Sequence, residues 1–462
     1  MHSGPTTLGE LKAAGYQSRS IRDEMRSNLV TMLRAGEPVF PDLHGYENTV
    51  IPQVVNAILA GHDILLLGER GQAKSRLARS LTSLLDPWLP IIAGSEINDD
   101  PFNPLSAFGR KTLSDLGDET PIAWIPGHNR FAEKLATPDT SIADLVGEVD
   151  PIKIAEGRYL SNEEIIAFGL IPRTNRGIFN LNELPDLSER IQVGLLNILE
   201  ERDVQIRGFT VRLPLDILVV ASANPEDYTN RGRIITPLKD RFGSQIRTHY
   251  PATIQQELDI VHQEQQCAEI DGISVRMPAY MAALVATISQ VARNHPQVSA
   301  RSGVSVRMSI SNYEALVANA QRRAIITGDP LAVPGVLDLH AMLPTMQGKI
   351  EFDTWDAGDD LRVIDDIIGE SIRSIGAGMV DLHWVQQLQH ELESGVVVSL
   401  DPAIPAEAAL ANSALTGDVI AGVADLADDE DPAAVLSSLG FALEYLYRSG
   451  RIARTPDGYT GL

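Results

Sequence analysis

The chain has 462 residues, 44% of them hydrophobic and 22% charged, with a formal net charge of −24. That is the composition of an ordinary globular protein with room for two to four domains, and its acidity argues against a general nucleic-acid or anionic-membrane surface, where like charges would repel. The one cysteine, Cys267, rules out an internal disulfide, fits a reducing cytoplasm and reads as a filler on a helix; the stretch Met1–Pro5 lacks the basic start and apolar run expected of a leader, and the longest apolar runs are strand-length.

Residues 1–40 read as an N-terminal helical segment. Leu8 and Leu11, then Ile21, Met25, Leu29 and Leu33, recur at helical spacing before Pro38 and Pro41. A further helix over Val50–Leu59 ends at Gly61. The apolar run Ile64–Leu67 closes a strand over 62–67. It is followed by Gly68-Glu69-Arg70-Gly71-Gln72-Ala73-Lys74-Ser75 and a helix over 74–85. Strand, glycine-bearing loop, lysine–serine and helix is how a chain builds a triphosphate cradle. Loop N–H groups turn inward on the phosphates, the lysine meets their charge, the serine hydroxyl serves Mg²⁺, and the helix points its positive end at the anion. The usual pattern has glycine where Ala73 stands, and an alanine fits there if its φ stays negative. The alternative reading is a plain strand–turn–helix joint with a surface lysine.

A second short strand is expected over Leu89–Ala93. Residues 94–176, rich in Asp, Asn, Pro and Gly, read as a long insertion, functional or mobile, with short elements such as Ile122–Ile125. Gly177–Asn182 is an apolar strand ending in Asn182-Glu183. A helix over Glu189–Glu201, a hairpin over 203–215, a strand from Asp216 ending at Asn224, and a last strand over Gln245–Tyr250 follow. This alternation implies a mainly parallel sheet, whose ligands bind at the carboxyl ends of its strands. Lys74, Glu183 and Asn224 all fall at or just beyond such ends, which points to one site. From Ile254 the pattern is helical: Ile254–Gln266, Ala279–Asn294, Ser309–Thr327, Ala406–Leu415 and Val435–Tyr447. Asp428–Asp431 reads as a solvated loop.

The order of these motifs resembles that of AAA+ ATPases, in the branch containing the magnesium-chelatase ATPase subunit and the MoxR-like chaperones. The resemblance covers Pro41–Asn319 and is carried by Gly68–Ser75, Gly177–Leu187, Val219–Pro225, Thr236–Gly243 and Gly303–Arg307. It implies an α/β fold: an AAA+ P-loop core with a central parallel sheet, helix-two insert and pre-sensor hairpin over 41–252. An α-helical lid over 253–330 and a mainly helical C-terminal extension over 331–462 would follow. It further implies that Gly68 to Ser75 bind ATP, with Lys74 on the β- and γ-phosphates and Ser75 on Mg²⁺. Glu183 would polarise the attacking water, and Asn224 would hold water and γ-phosphate. Arg241 would be an arginine finger reaching into a neighbouring subunit's site, and Arg307 a second sensor, with Arg301 a weaker candidate.

The residues alone leave other readings open. Glu183 could be a solvated loop carboxylate, Asn224 a turn residue before Pro225, and Arg241 one half of a surface ion pair with Asp240 or another carboxylate. Where relatives carry Asp-Glu, this chain has Asn182-Glu183. Asn182 keeps a carbonyl acceptor toward Mg²⁺-bound water and loses the charge, so weak Mg²⁺ affinity and slow turnover, or a need for high Mg²⁺, are expected. The insert segments 144–150 and 156–160, with Tyr159, and the hairpin with Phe209, face either partners and a central pore or local packing.

The expected function is that of a ring-forming ATPase that couples ATP binding and hydrolysis to remodelling a protein partner, as chelatase-like or MoxR-like chaperones do in metal or cofactor insertion. The chain would form a homo-oligomer, most simply a hexamer, in the cytoplasm. Its partner would be a separate protein with a von Willebrand factor A-type domain; neither membrane nor nucleic acid is expected. The true magnesium-chelatase subunit of chlorophyll synthesis is a further possibility, against which the long divergent C-terminal segment and Asn182 count. Two alternatives of other kinds stand beside these. One is a nucleotide-gated scaffold with little hydrolysis. The other is a sigma-factor-dependent transcription activator, although the Gly-Ala-Phe-Thr-Gly-Ala loop of those proteins is absent here.

Overall fold

Five parallel strands form the centre of the first of two units into which the chain divides, Met1–His249 and Tyr250–Leu462. The computed structural model describes residues 4–149, 166–200, 213–224, 232–270, 272–299, 303–352, 359–379 and 382–462. In chain order the strands of the first unit are β1 (Ile64–Leu67), β2 (Trp88–Ile92), β3 (Ile122–Pro126), β4 (Phe131–Leu135), β5 (Gly147–Val149), β6 (Ile166–Phe168), β7 (Gly177–Asn182), β8 (Ile217–Ala223) and β9 (Ser244–Arg247). The central sheet runs β4-β7-β8-β1-β9.

Both faces of this sheet are buried, as the unbroken apolar runs of β1 and β8 require. Leu65, Leu67, Phe179, Leu181 and Val219 pack on one side against Ile191, Leu195, Ile198 and Leu199 of the helix Glu189–Glu200. On the other, Ile64, Leu66, Ile178, Leu218 and Val220 meet the helices Ile21–Ala35, Val50–Ala60 and Lys74–Ser80. Ser20 caps the first of these helices, and Gly36 and Gly61 close the first two in left-handed conformations. Beyond Ser80 the expected helix continues only as a 3₁₀ segment, Leu81–Leu84.

The second core strand differs from expectation. Trp88–Ile92 is extended but pairs antiparallel with β3 in a separate two-stranded sheet. Pro90 has no N–H to give to a second neighbour. The edge strand of the core is instead Phe131–Leu135, within the presumed insertion and parallel to β7. A buried ion pair anchors its start. Arg130 donates from Nη1 and Nη2 to the Glu24 carboxylate at 2.6 and 2.7 Å and from Nε to Arg176 O at 2.8 Å. The helix Ile142–Val146 and the β5–β6 ribbon follow. Segment 156–160 and the hairpin residues 203–212, with Tyr159 and Phe209, lie outside the described residues.

The second unit packs the helices Ile254–Glu264, Ala279–Asn294, Val306–Thr327, Asp359–Gly376, His383–Glu393, Gly417–Ala427 and Pro432–Arg448 around one interior. Met281, Leu284 and Ile288 share it with Ile364, Ile367, Leu439 and Phe441, so helices on both sides of residue 330 are joined in one core. Glu257, fully buried there, accepts from both Arg293 Nη atoms at 2.6 and 2.8 Å and from the Ser309 hydroxyl. The helix expected to reach Leu415 stops at Ala411. Cys267 lies in the loop after Ile254–Glu264 rather than on a helix, and partial burial pushes its thiol up. Asp428 closes one helix and Asp431 caps the next, which gives the acidic run a local structural role. No helix among the described residues is long and apolar enough to cross a membrane.

Candidate functional site

Strand order alone brings three of the expected residues together. Leu67 of β1 pairs with Ala223 of β8, and Leu181 of β7 with Ala221 of β8. The loop after β1 therefore emerges beside Asn224, and Asn224 beside Asn182-Glu183, at the carboxyl ends of neighbouring parallel strands.

The loop is tied down from both flanks. Gly68 N–H donates to Ala223 O at 3.1 Å, and Thr248 N–H donates to Leu67 O at 2.8 Å. Gln72 is buried, and its Oε1 accepts from Glu69 N–H at 3.0 Å and from the Thr248 hydroxyl at 2.8 Å. The Tyr46 hydroxyl donates to Gln72 O at 2.7 Å and lies 3.0 Å from His249 O. Burial pushes its phenol up to about 12. A Cβ on Gly68 would come closer than 3.0 Å to Thr248 Oγ1 and Gln72 Oε1, so only glycine fits this packing.

Gly71 takes φ 76°, as a glycine can. Ala73 takes φ 53° and ψ 18°, the left-handed region, which corrects the expectation of a negative φ. The turn into the helix Lys74–Ser80 imposes this, at about 1–2 kcal/mol for a residue with a Cβ. Lys74 is 7% exposed, and its ammonium donates to Gly68 O at 2.5 Å and Glu69 O at 2.7 Å. Ser75 stands partly buried in the helix's first turn, and Arg70 belongs to the loop's outer arc. Such a loop, with a buried cation at its mouth and a helix N-terminus behind it, suits a phosphate chain.

The neighbouring strand ends carry polar groups on the face toward the loop helix. Asn182, nearly buried, accepts at Oδ1 from Asn180 Nδ2 and from the Ser222 hydroxyl, each at 3.1 Å. Its Nδ2 donates to Glu133 of β4. Glu183 follows in a left-handed conformation (φ 55°, ψ 48°), its N–H donating to Ser222 Oγ at 3.3 Å and its side chain only partly buried. Strain of this kind collects where a side chain must be aimed. Asn224 is 2% exposed.

Arg241 is engaged elsewhere in the first unit. It donates from Nε to Glu200 Oε2 at 2.8 Å and from Nη1 to Pro237 O at 2.8 Å. Arg307 belongs to the second unit, exposed in the first turn of Val306–Thr327. Arg301 lies outside the described residues. Three participants escaped the sequence reading. Thr248 could have been found by applying the strand-end rule to β9 as well as to β7 and β8. Tyr46 carries no signal before the fold is known. Glu133 sits in Phe-Ala-Glu-Lys-Leu, which has no strand periodicity.

Comparison with known proteins adds to this geometry. The family described as the Sigma-54 interaction domain matches residues 154–241. Magnesium-chelatase subunit ChlI of Nostoc sp. is 28% identical over 51% of this chain and 61% of its own length. The magnesium-chelatase 38 kDa subunit of Cereibacter sphaeroides is 25% identical over 48% of this chain and 62% of its own. The chain thus spans less than two thirds of the curated relatives it matches. Among solved structures, the BchI–BchD complex of magnesium chelatase aligns at TM-score 0.36 with 19% identity, covering 72% of this chain and all of that one (100%). NtrX from Brucella abortus with ADP aligns at TM-score 0.40 with 14% identity, covering 83% of this chain and 70% of that one. In its motifs, its strand order and its sequence relatives, the chain is similar to AAA+ ATPases of the branch that contains the magnesium-chelatase ATPase subunit.

Proposed function

We propose that the protein is an ATPase of chelatase or MoxR type, which assembles into a ring, most simply a hexamer, and uses ATP hydrolysis to remodel a separate protein partner in metal or cofactor insertion. One observation carries the reading: the loop with buried Lys74 opens beside Asn224 and Asn182-Glu183 on adjacent parallel strands. Lys74 and the loop N–H groups bind the β- and γ-phosphates. Glu183 orients and deprotonates the attacking water, and Asn224 fixes that water against the γ-phosphate. The oxygens of Ser75, Asn182 and Glu183 are hard donors of the kind Mg²⁺ takes. When bound, Mg²⁺ would neutralise charge on the phosphate oxygens. Asn180 Oδ1, buried with no hydrogen-bond partner among the described residues, is an unsatisfied acceptor on this face that a further polar group would satisfy.

Arg241 completes the site of an adjacent copy. In the single chain it is parked on Glu200, an exposed ion pair worth about 0.5 kcal/mol, so releasing it costs little. Arg307, by the family resemblance, is the second-sensor residue. The partner, by the family resemblance, carries a von Willebrand factor A-type domain, and the cytoplasm is the natural compartment.

Calorimetry of ATP binding tests the core of this reading. Wild type binds and Lys74→Ala loses at least tenfold in affinity; equal affinities would sink it. Mass photometry with ATP tests the ring, and Arg241→Ala should keep the fold while turnover in the assembled state falls by about 10³-fold or more. Full turnover from a protein that stays monomeric in every nucleotide removes the finger role. The Asn182 position favours a second reading, a nucleotide-gated scaffold. Equal turnover of wild type and Glu183→Gln would select it. A transcription activator is the reading suggested by the Sigma-54 interaction match, but the sequence lacks the loop through which those proteins act.

A further inference from the structure

The family's strand-end aspartate is missing here, and its replacement, Asn182, is not left alone. Glu133 stands on the neighbouring strand β4, where its Cα pairs with that of Asn180, and Leu135 pairs with Asn182. Side chains two apart on β7 share a face, so Asn180 and Asn182 point to the same side of the sheet as Glu133. Glu133 Oε1 accepts from Asn182 Nδ2, and Asn180 Nδ2 lies 3.4 Å from the same oxygen. The other oxygen, Oε2, accepts from Arg79 Nε at 2.9 Å and Nη2 at 2.7 Å. Arg79 belongs to the helix that begins at Lys74.

We propose that Glu133 supplies the negative charge toward nucleotide-bound Mg²⁺ that Asn182 cannot, the carboxylate having been moved one strand outward and held there by the Asn182 amide. This rests on the nucleotide reading above.

Three features favour that role over a plain surface ion pair. First, the Glu133 side chain is 22% exposed while Arg79 is 62% exposed. The carboxylate is therefore the desolvated partner, and its field reaches further than that of a fully hydrated group. Second, an amide that donates to a carboxylate on one side and accepts from Ser222 on the other fixes the carboxylate against the strand ends. An aspartate at position 182 would repel Glu133 at this distance, so the neutral amide of Asn182 suits a carboxylate at 133. Third, Asn180 Oδ1 beside them is buried and unpartnered among the described residues. The inference also revises the sequence expectation of weak Mg²⁺ affinity, because the charge lost at 182 is restored by 133. Arg79 opposes it, so the same ion pair sets how much of the charge is available.

The test uses the full chain, ATP, and calorimetry in EDTA and at rising Mg²⁺. In EDTA, wild type, Glu133→Gln and Arg79→Ala should bind ATP within twofold of one another. The Mg²⁺ concentration that half-saturates the enhancement of affinity should rise about tenfold in Glu133→Gln. It should fall several-fold in Arg79→Ala, whose exposed site leaves the fold intact. Adding Asn182→Asp to Glu133→Gln should restore the wild-type value, an outcome that a merely structural Glu133 does not give. An unchanged Mg²⁺ midpoint in both single variants, with ATP still bound, overturns the inference and leaves the nucleotide reading standing. ATP binding that is absent in wild type and Lys74→Ala alike removes both.

Discussion

The Thr248 hydroxyl donates to Gln72 Oε1 at 2.8 Å, joining two residues 176 positions apart and fastening the glycine-bearing loop after β1 to the end of the last core strand. Gly68 lies beneath this bond with no space for a Cβ. Gly68→Ala must therefore part Thr248 from Gln72. The expected result is a loss of about 1–3 kcal/mol in stability, as for other overpacked sites, with ATP affinity down at least tenfold. Thermal melts and calorimetry check it; an unaltered affinity would show that the loop tolerates being untied.

Ala73 carries backbone strain that glycine does not feel. Ala73→Gly relieves about 1–2 kcal/mol in the folded state and gives back about 0.5–1 kcal/mol through the freer unfolded chain. A net gain of up to about 1.5 kcal/mol should raise the melting temperature by a few degrees. A lower melting temperature would mean that the left-handed turn is not the conformation in solution.

The Glu24–Arg130 pair is among the most buried charge pairs described, with side chains 2% and 0% exposed. Glu24 Oε1 also accepts from Asp86 N–H at 2.6 Å. Glu24→Ala leaves the guanidinium charged and unpaired, at a cost of about 3–5 kcal/mol. Urea unfolding of the first unit should show this, and the double variant Glu24→Leu/Arg130→Met should recover much of the loss.

In the second unit, Arg448 donates from Nη1 and Nη2 to both Asp365 oxygens at 2.7 Å and holds that carboxyl below its ordinary value of 3.8. A depressed folded value means stability that is present above pH 3.8 and lost as pH falls through the folded value. The Asp365 side chain is 59% exposed, so screening limits the contribution to about 0.5 kcal/mol. Wild type should exceed Asp365→Asn in urea midpoint at pH 7, and the gap should narrow as pH falls below 3.8. A gap that persists in acid excludes the ion pair as its cause.

Much of the site could be read from the chain because its elements announce themselves locally. Ile64–Leu67 and Ile217–Ala223 are continuous apolar runs, buried as parallel core strands must be. Gly61 and Gly36 end helices where their conformational freedom is needed. What escaped was non-local. Phe131–Leu135 is an edge strand with Leu135 exposed and Glu133 and Lys134 at its centre, so no apolar period marks it. Trp88–Ile92 has the better strand composition and lies outside the core sheet, because pairing, not propensity, decides membership. The positive φ of Ala73 is imposed by the turn around it and leaves no trace in residue type.

The interior shared by Met281, Leu284 and Ile288 with Ile364, Leu439 and Phe441 makes the second unit mechanically indivisible. Close-packed side chains do not slide freely, so whatever tilts the helix bearing Arg307 must carry the Pro432–Arg448 helix along with it. The C-terminal stretch is thereby no loose appendage, and a displacement imposed at its far end reaches Val306–Thr327 undiminished.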